Sequence, residues 1–269
     1  MTMRHNTQHM ETPPPLALDV RLMNITSMLL ISVLIAASIA VVLWWMLRHP
    51  VFTISSITVQ GDVRHNNEVT LRANVVPRLQ GSFFTVDLAQ ARQAFENVPW
   101  VRQAMVRREF PNSLSVDLYE HEPVAYWGHE SESRLVNRQG EVFSANFGEL
   151  DNEDLPRLSG PDAESARVLQ MYEQLRPVFE KLSLNMTSLE LTARGSWRAH
   201  MKNGASLELG RGNESEVMAR VHRLTQTLAQ VSQRYGRQAQ ALESADLRHV
   251  NGYALRLRGV GTLDSTTTR

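Results

Sequence analysis

From Leu22 to Leu47 the chain reads LMNITSMLLISVLIAASIAVVLWWML, twenty-six residues without a charge between Arg21 and Arg48. As a helix that run reaches about 39 Å, against a bilayer hydrocarbon core of about 30 Å. It ties whatever follows to a membrane. Trp44 and Trp45 fall near its far end, where an indole keeps its N–H in the interfacial region. The alternative is a cleaved signal peptide, for which Ser38 and Ala40 imitate a cleavage site. A retained anchor fits better: cleavage there would leave Val41-Val42-Leu43-Trp44-Trp45 as the new start, and a signal core usually holds only about 7 to 15 apolar residues. Arg4 and Arg21 before the span balance Arg48 and Arg64 after it, so the positive-inside count leaves the orientation open. A short tail with Pro13-Pro14-Pro15, followed after the span by more than 200 residues, matches the arrangement of bitopic proteins whose large part is exported.

The 28 basic and 28 acidic side chains of the 269-residue chain cancel, which gives no electrostatic pull toward nucleic acid. Cysteine is absent, and with it disulfides, thiolate nucleophiles and Cys-ligated metal. Packing alone has to hold the fold.

Two blocks follow the span. In the first, Phe52, Ile54, Ile57 and Val59 predict a strand over Val51–Gly61. Asn66 or Asn67 can cap a short helix through Val69, Leu71, Val75 and Val76 that ends near Pro77, since proline disfavours helical geometry in the residue before it. Asp87 starts a second helix with Leu88, Ala91, Ala94 and Phe95 on one face, stopped by Pro99. Two strands come next, Trp100–Arg108 and Ser113–Glu120, joined by turn chemistry at Pro111-Asn112. In the second of these, Leu114, Val116 and Leu118 alternate with Ser113, Ser115, Asp117 and Tyr119, the period of a half-buried strand. The order is β-α-α-β-β.

The second block opens with short strand candidates separated by Gly128, Gly140 and Gly148. Val168, Leu169, Tyr172 and Leu175 then give helical spacing over Glu164–Leu182, with Pro177 expected to kink or break it. Alternation resumes at Leu189, Leu191 and Ala193, at Trp197, Ala199 and Met201, and at Ala205, Leu207 and Leu209. Asn203-Gly204 between the last two suits a type I′ turn, in which both central residues take positive φ. A helix over Asn213–Val231 buries Val217, Val221, Leu224, Leu228 and Val231, and a last strand runs from Asp246 toward Arg258 with Tyr253, Leu255 and Leu257 on one face.

Catalytic motifs are weak. Leu209-Gly210-Arg211-Gly212-Asn213 stands between a strand and a helix, yet no third glycine follows and Glu214 and Glu216 would repel a pyrophosphate, so it reads as a turn and N-cap. His121-Glu122 and His129-Glu130 share no helical face with a second histidine and read as surface groups. Arg248, Arg256 and Arg258 crowd basic charge onto the last strand. If that strand lies at a sheet edge, its unpaired N–H and C=O groups offer a template to an acidic peptide; alternatively, the arginines are solvated guards against edge-to-edge aggregation.

Four stretches carry a family resemblance: FTISSITVQG at Phe52–Gly61, PWVRQAMVRREFPNSLSVDLYEHEPVAYW at Pro99–Trp127, TARGSWRAHMKNGASLELGRG at Thr192–Gly212 and ADLRHVNGYALRLRG at Ala245–Gly259. Together with the anchor and the β-α-α-β-β order, they make the whole chain resemble the FtsQ/DivIB family of bacterial division proteins, whose first domain is a POTRA module. The Pro99–Trp127 stretch is the most specific of them. The resemblance implies an α+β protein: a cytoplasmic tail (1–21), a single transmembrane helix (22–47), a POTRA domain (48–122), a mixed, mainly antiparallel β-sheet domain with flanking helices (123–258) and a C-terminal tail (259–269). It implies a bitopic scaffold of the inner membrane at the division septum, with the N-terminus cytoplasmic and the C-terminal domain periplasmic. Such a scaffold joins early and late division proteins and helps control septal wall synthesis, without catalysis, cofactor or metal. Carried over by position, contacts to FtsB, itself paired with FtsL, fall on Arg194, Arg248, His249, Asn251, Gly252 and Leu257, and a POTRA recruitment face for proteins such as FtsK falls on Gln103, Val106 and Arg108. Gly195 stands where some relatives carry a second basic residue. POTRA modules also occur in outer-membrane assembly and secretion factors, but no long series of amphipathic barrel strands follows here. An exported enzyme is the remaining rival.

Overall fold

The computed structural model describes residues 18–48, 53–61, 63–66, 68–79, 81–150, 154–249 and 252–260. They fall into two compact units: the described residues up to Thr58 with Leu79–Asp87 and Arg107–Ser115, and a larger unit of Val59–Arg78, Leu88–Val106 and the described residues from Val116 onward.

In the smaller unit, α1 (Leu18–Arg48) contains the stretch Leu22–Trp45, long and apolar enough to cross a membrane and with none of its side chains buried in the protein. Two of its hydroxyls are satisfied within the helix. Thr26 Oγ1 donates to the Leu22 and Met23 carbonyls and Ser32 Oγ to that of Met28, which removes the cost of a bare hydroxyl in hydrocarbon. Phe83 and Val86 are buried in the same unit, and the Arg108 guanidinium donates to their carbonyls at 2.8 and 2.7 Å.

After α1 come β1 (Ser56–Gly61), α2 (Glu68–Val75), α3 (Leu88–Glu96), β2 (Val101–Glu109) and β3 (Ser113–Glu120), the order expected, with the strands in the order β1-β3-β2. Leu114, Val116 and Leu118 are fully buried, as their alternation requires. The expected first strand is shorter at its start; Val51 and Phe52 lie outside the described residues. So does Asn67, and Asn66 turns its amide elsewhere, donating to the Pro99 carbonyl and Glu120 Oε1, both at 3.0 Å. α2 ends at Val75, near Pro77 as expected, and Val76–Arg78 follow as a 3-10 turn.

A nine-stranded sheet makes the rest: β4 (Pro123–Trp127), β5 (Arg134–Asn137), β6 (Val142–Ser144), β7 (Arg157–Ser159), β8 (Met186–Leu191), β9 (Ser196–Met201), β10 (Ser206–Arg211), β11 (Leu242–Asp246) and β12 (Ala254–Leu257), in the order β12-β11-β10-β9-β8-β7-β4-β5-β6. β4–β7, β7–β8 and β10–β11 are parallel and the other pairs antiparallel. Parallel neighbours need a crossover, and α4 (Ser165–Glu180) and α5 (Glu214–Arg234) supply two of them, from β7 to β8 and from β10 to β11. Val168, Leu175, Phe179, Val217, Val221, Leu224 and Leu228 from these helices share one core with Trp127, Leu158, Leu189, Trp197 and Leu207 from the sheet. Side chains of opposite alternation are polar; Arg198 lies between Glu208 at 2.7 Å and Glu190 at 3.2 Å.

Four local expectations are revised. Pro177 lies inside α4, which runs on to Glu180; so near the C-terminal end, one missing N–H costs a single bond and leaves the helix intact. At Asn203-Gly204 only the glycine takes positive φ, +84°, and Gly204 N–H donates to the Met201 carbonyl. That is a three-residue turn with glycine in the left-handed position, not a type I′ turn. The last strand is two strands, β11 and β12, because the chain turns between Asp246 and Ala254. His121 is no surface group: it stacks on Phe143 at 4.1 Å, and burial pushes its pKa down. The turn and N-cap expected before α5 are present, with Asn213 and Glu216 closing a reciprocal capping box.

Within the larger unit, β3 passes into β4 through a polar cluster. Glu120 accepts from the backbone N–H groups of Arg64, His65 and Asn66 and from the side chains of His65 and Asn66. Burial alone would raise its pKa, but these bonds outweigh burial and lower it. His65 stacks on Trp100 at 4.0 Å, and the Trp100 indole donates to Glu149 at 2.6 Å. Asn137, fully buried, accepts from the N–H groups of Gln139 and Glu141 and donates to His121 Nδ1 at 2.8 Å and Glu141 Oε2 at 2.7 Å.

Candidate docking edge

β12 ends the nine-stranded sheet, and among the described residues no strand pairs with its outer side. On its inner side Leu257 lies opposite Leu242, Arg256 opposite Ser244, Leu255 opposite Ala245 and Ala254 opposite Asp246. The Arg258 N–H donates inward to the Ala241 carbonyl at 2.8 Å, so the two-residue alternation turns the N–H and C=O of Leu257 and Leu255 outward. Val260 N–H approaches the Leu257 carbonyl at 3.3 Å, which leaves the Leu255 amide and carbonyl as the open pair at the centre of the edge.

The strand is held firmly from behind. Leu257 is only 4% exposed, and Leu255 and Tyr253 pack against the same core. The Tyr253 hydroxyl meets Thr227 on α5, the Arg258 guanidinium reaches the Asn203 carbonyl, and Arg237 Nη2 donates to the Gly259 carbonyl at 3.1 Å. At the other end Leu247 N–H donates to the Glu208 carbonyl at 2.8 Å, and Arg248 folds back onto Asp246, with Nε and Nη2 at 2.9 and 2.5 Å from the two carboxylate oxygens. The Arg248 hydrogen bonds hold the Asp246 carboxyl down at about 2.

Arg194, Arg248, His249 and Gly252 come together at one end of the sheet. Arg194 is exposed in the β8–β9 turn just before Ser196, which pairs with Arg211. The adjacent Gly210 takes φ +82°, and a Cβ there would meet Arg248 Cγ at 3.2 Å, so only glycine lets the Arg248 segment approach β10 this closely. Gly195, at φ +76°, also occupies a conformation that favours glycine, although the space beside it is open. Leu257 is the exception: it lies at the far end of β12 with its side chain in the core, so it presents only main chain. Asn251 lies outside the described residues.

Reading the arginines along the sequence missed their partners. Arg256 lies 3.3 Å from Glu243 and Arg248 is paired with Asp246, so acidic groups on β11 offset the basic charge of the edge. The register places them there, and a one-strand reading hides it. Arg211, which the sequence placed only in a turn, and Arg220 also stand at this end of the sheet; Arg220 Nη2 donates to the Arg211 carbonyl at 2.6 Å. On β2, Gln103 and Val106 are an odd number of residues apart and fall on opposite faces, Val106 with buried Ala104 and Gln103 with exposed Met105. Arg108 belongs to the smaller unit, where its guanidinium serves Phe83 and Val86.

Comparison with known proteins agrees with this architecture. Residues 52–121 match the family described as POTRA domain, FtsQ-type, and residues 125–248 the family described as cell division protein FtsQ/DivIB, C-terminal. The chain is similar to the cell division protein FtsQ of Burkholderia pseudomallei, 39% identical over 92% of this chain and 97% of that protein. It is 38% identical to the FtsQ of Thiomonas arsenitoxydans over 92% of this chain and 91% of that one. For Bordetella pertussis FtsQ the identity is 35%, over 89% and 92%.

Proposed function

Starting from the chain's membership of the FtsQ/DivIB family of cell division proteins, we propose that it is a bitopic, non-catalytic scaffold of the inner membrane. In this reading α1 is the anchor, residues 1–21 are cytoplasmic, and the domains after the anchor are periplasmic, at the division septum. Its task is to join early and late division proteins and help control septal peptidoglycan synthesis. FtsB, paired with FtsL, adds a strand to the outer side of β12, where the Leu255 main-chain groups receive it and Arg194, Arg248, His249, Asn251 and Gly252 select an acidic segment at one end. The open edge of β12 is the observation that carries this reading. Leu257 contributes backbone alone. On β2, the outer strand of its own sheet, Gln103 and Val106 offer alternate faces to an upstream protein such as FtsK, and Arg108 completes the expected recruitment set.

Titration of an FtsB segment against Arg248→Glu tests the site. Replacing a cation by an anion beside Asp246 should weaken binding by about tenfold or more, each tenfold being about 1.4 kcal/mol. Unchanged affinity removes Arg248 from the interface.

A further inference from the structure

The smaller unit carries an aromatic patch that the docking edge does not explain. Phe110, at the β2–β3 turn, is 76% exposed, and Phe84 is 41% exposed. Both pack edge-on against the buried Phe83 ring, at centroid distances of 6.2 and 5.2 Å, so the two exposed rings flank a fixed third. Exposed phenylalanines gathered on one surface mark an interaction site.

The place of the patch says what covers it. Ser55 N–H donates to the Asn112 carbonyl at 2.9 Å, and the Ser56 and Ser113 hydroxyls meet at 2.7 Å. The β2–β3 turn therefore lies beside the start of β1, where the chain arrives from α1. Only seven steps of chain separate Arg48, the last residue of α1, from Ser55, which at full extension is at most about 25 Å. In the sequence around the rings, Arg107 and Arg108 are balanced by Asp87 and Glu109.

We propose that Phe84 and Phe110 insert into the interfacial layer of the bilayer that α1 crosses, giving the protein a second, shallow membrane contact. Phenylalanine on a tethered surface buries its ring at the headgroup–acyl boundary without needing anionic lipid. The contact fixes the β2–β3 turn against the membrane.

The chain has no cysteine, so one introduced thiol reports one position. The full chain with Glu109→Cys, carrying an environment-sensitive fluorophore, is placed in nanodiscs of phosphatidylethanolamine and phosphatidylglycerol and quenched with iodide; Tyr235→Cys, exposed in the larger unit, is the reference. The label at 109 should be blue-shifted and severalfold less quenched than the label at 235, equally at low and high salt. Adding Phe84→Ser and Phe110→Ser should abolish that protection, with the far-UV spectrum unchanged to show the fold is intact. Equal quenching at both positions overturns the proposal and assigns the patch to a protein partner instead. Protection that survives the double serine change, or that vanishes in salt, also overturns it.

Discussion

Trp100 takes φ +73° while 2% exposed, a backbone conformation that costs roughly 1–3 kcal/mol in a residue with a large side chain. The surroundings over-determine it: His65 stacks on the ring, Glu149 accepts from the indole, and the Trp100 carbonyl accepts from His121 N–H at 2.7 Å. His121 in turn depends on Asn137, whose amide N–H donates to its Nδ1 and so fixes the neutral tautomer with the proton on Nε2. Asn137→Ala strips two backbone N–H groups and the histidine of their partner and should lower unfolding free energy by about 1–3 kcal/mol, read by urea denaturation of the membrane-free domains. His121 has its folded pKa depressed, mainly by burial. Its contribution is therefore fully present above the unfolded value of 6.5 and is lost as pH falls through the lower folded value. Stability should decline below about pH 6.5, and His121→Phe, which keeps the ring stack on Phe143, should flatten that part of the profile.

Among the elements, β12 shows both what alternation reveals and what it hides. Tyr253, Leu255 and Leu257 read correctly as one inward face, because a period of two is set by the pleat of a single strand. The break after Asp246 was not legible, since it rests on a carboxylate bonding Arg248 two residues on, and the pairing of Arg256 with Glu243 depends on register between strands. The Asn203-Gly204 turn was placed correctly and typed wrongly for a like reason: Asn203 keeps ordinary φ while its amide holds the carbonyls of Gln240 and Leu242. On the edge itself, Leu255→Pro removes the outward N–H and no inner ladder bond. It should abolish FtsB binding in a titration while the melting temperature shifts by only a few degrees. Retained affinity would mean that the partner does not pair with this strand.

At the scale of the whole molecule, the long apolar helix and the β-α-α-β-β order were readable because each depends on residues near one another in sequence. The nine-stranded order was not, since β4 pairs with β7 and β10 with β11 across long connections. Of the proposed contacts, Arg194, Arg248, His249 and Gly252 converge only because β8–β9, β10 and β11 end at the same side of that sheet. The proposed docking thus rests on one topology, in which two crossover helices cover one face and β12 has no outer neighbour among the described residues. Amide hydrogen exchange on the full chain, with and without FtsB and FtsL, tests this most directly. The account predicts strong new protection at the amides of Leu255 and Leu257; protection confined to other strands, with these two exchanging as before, would contradict it.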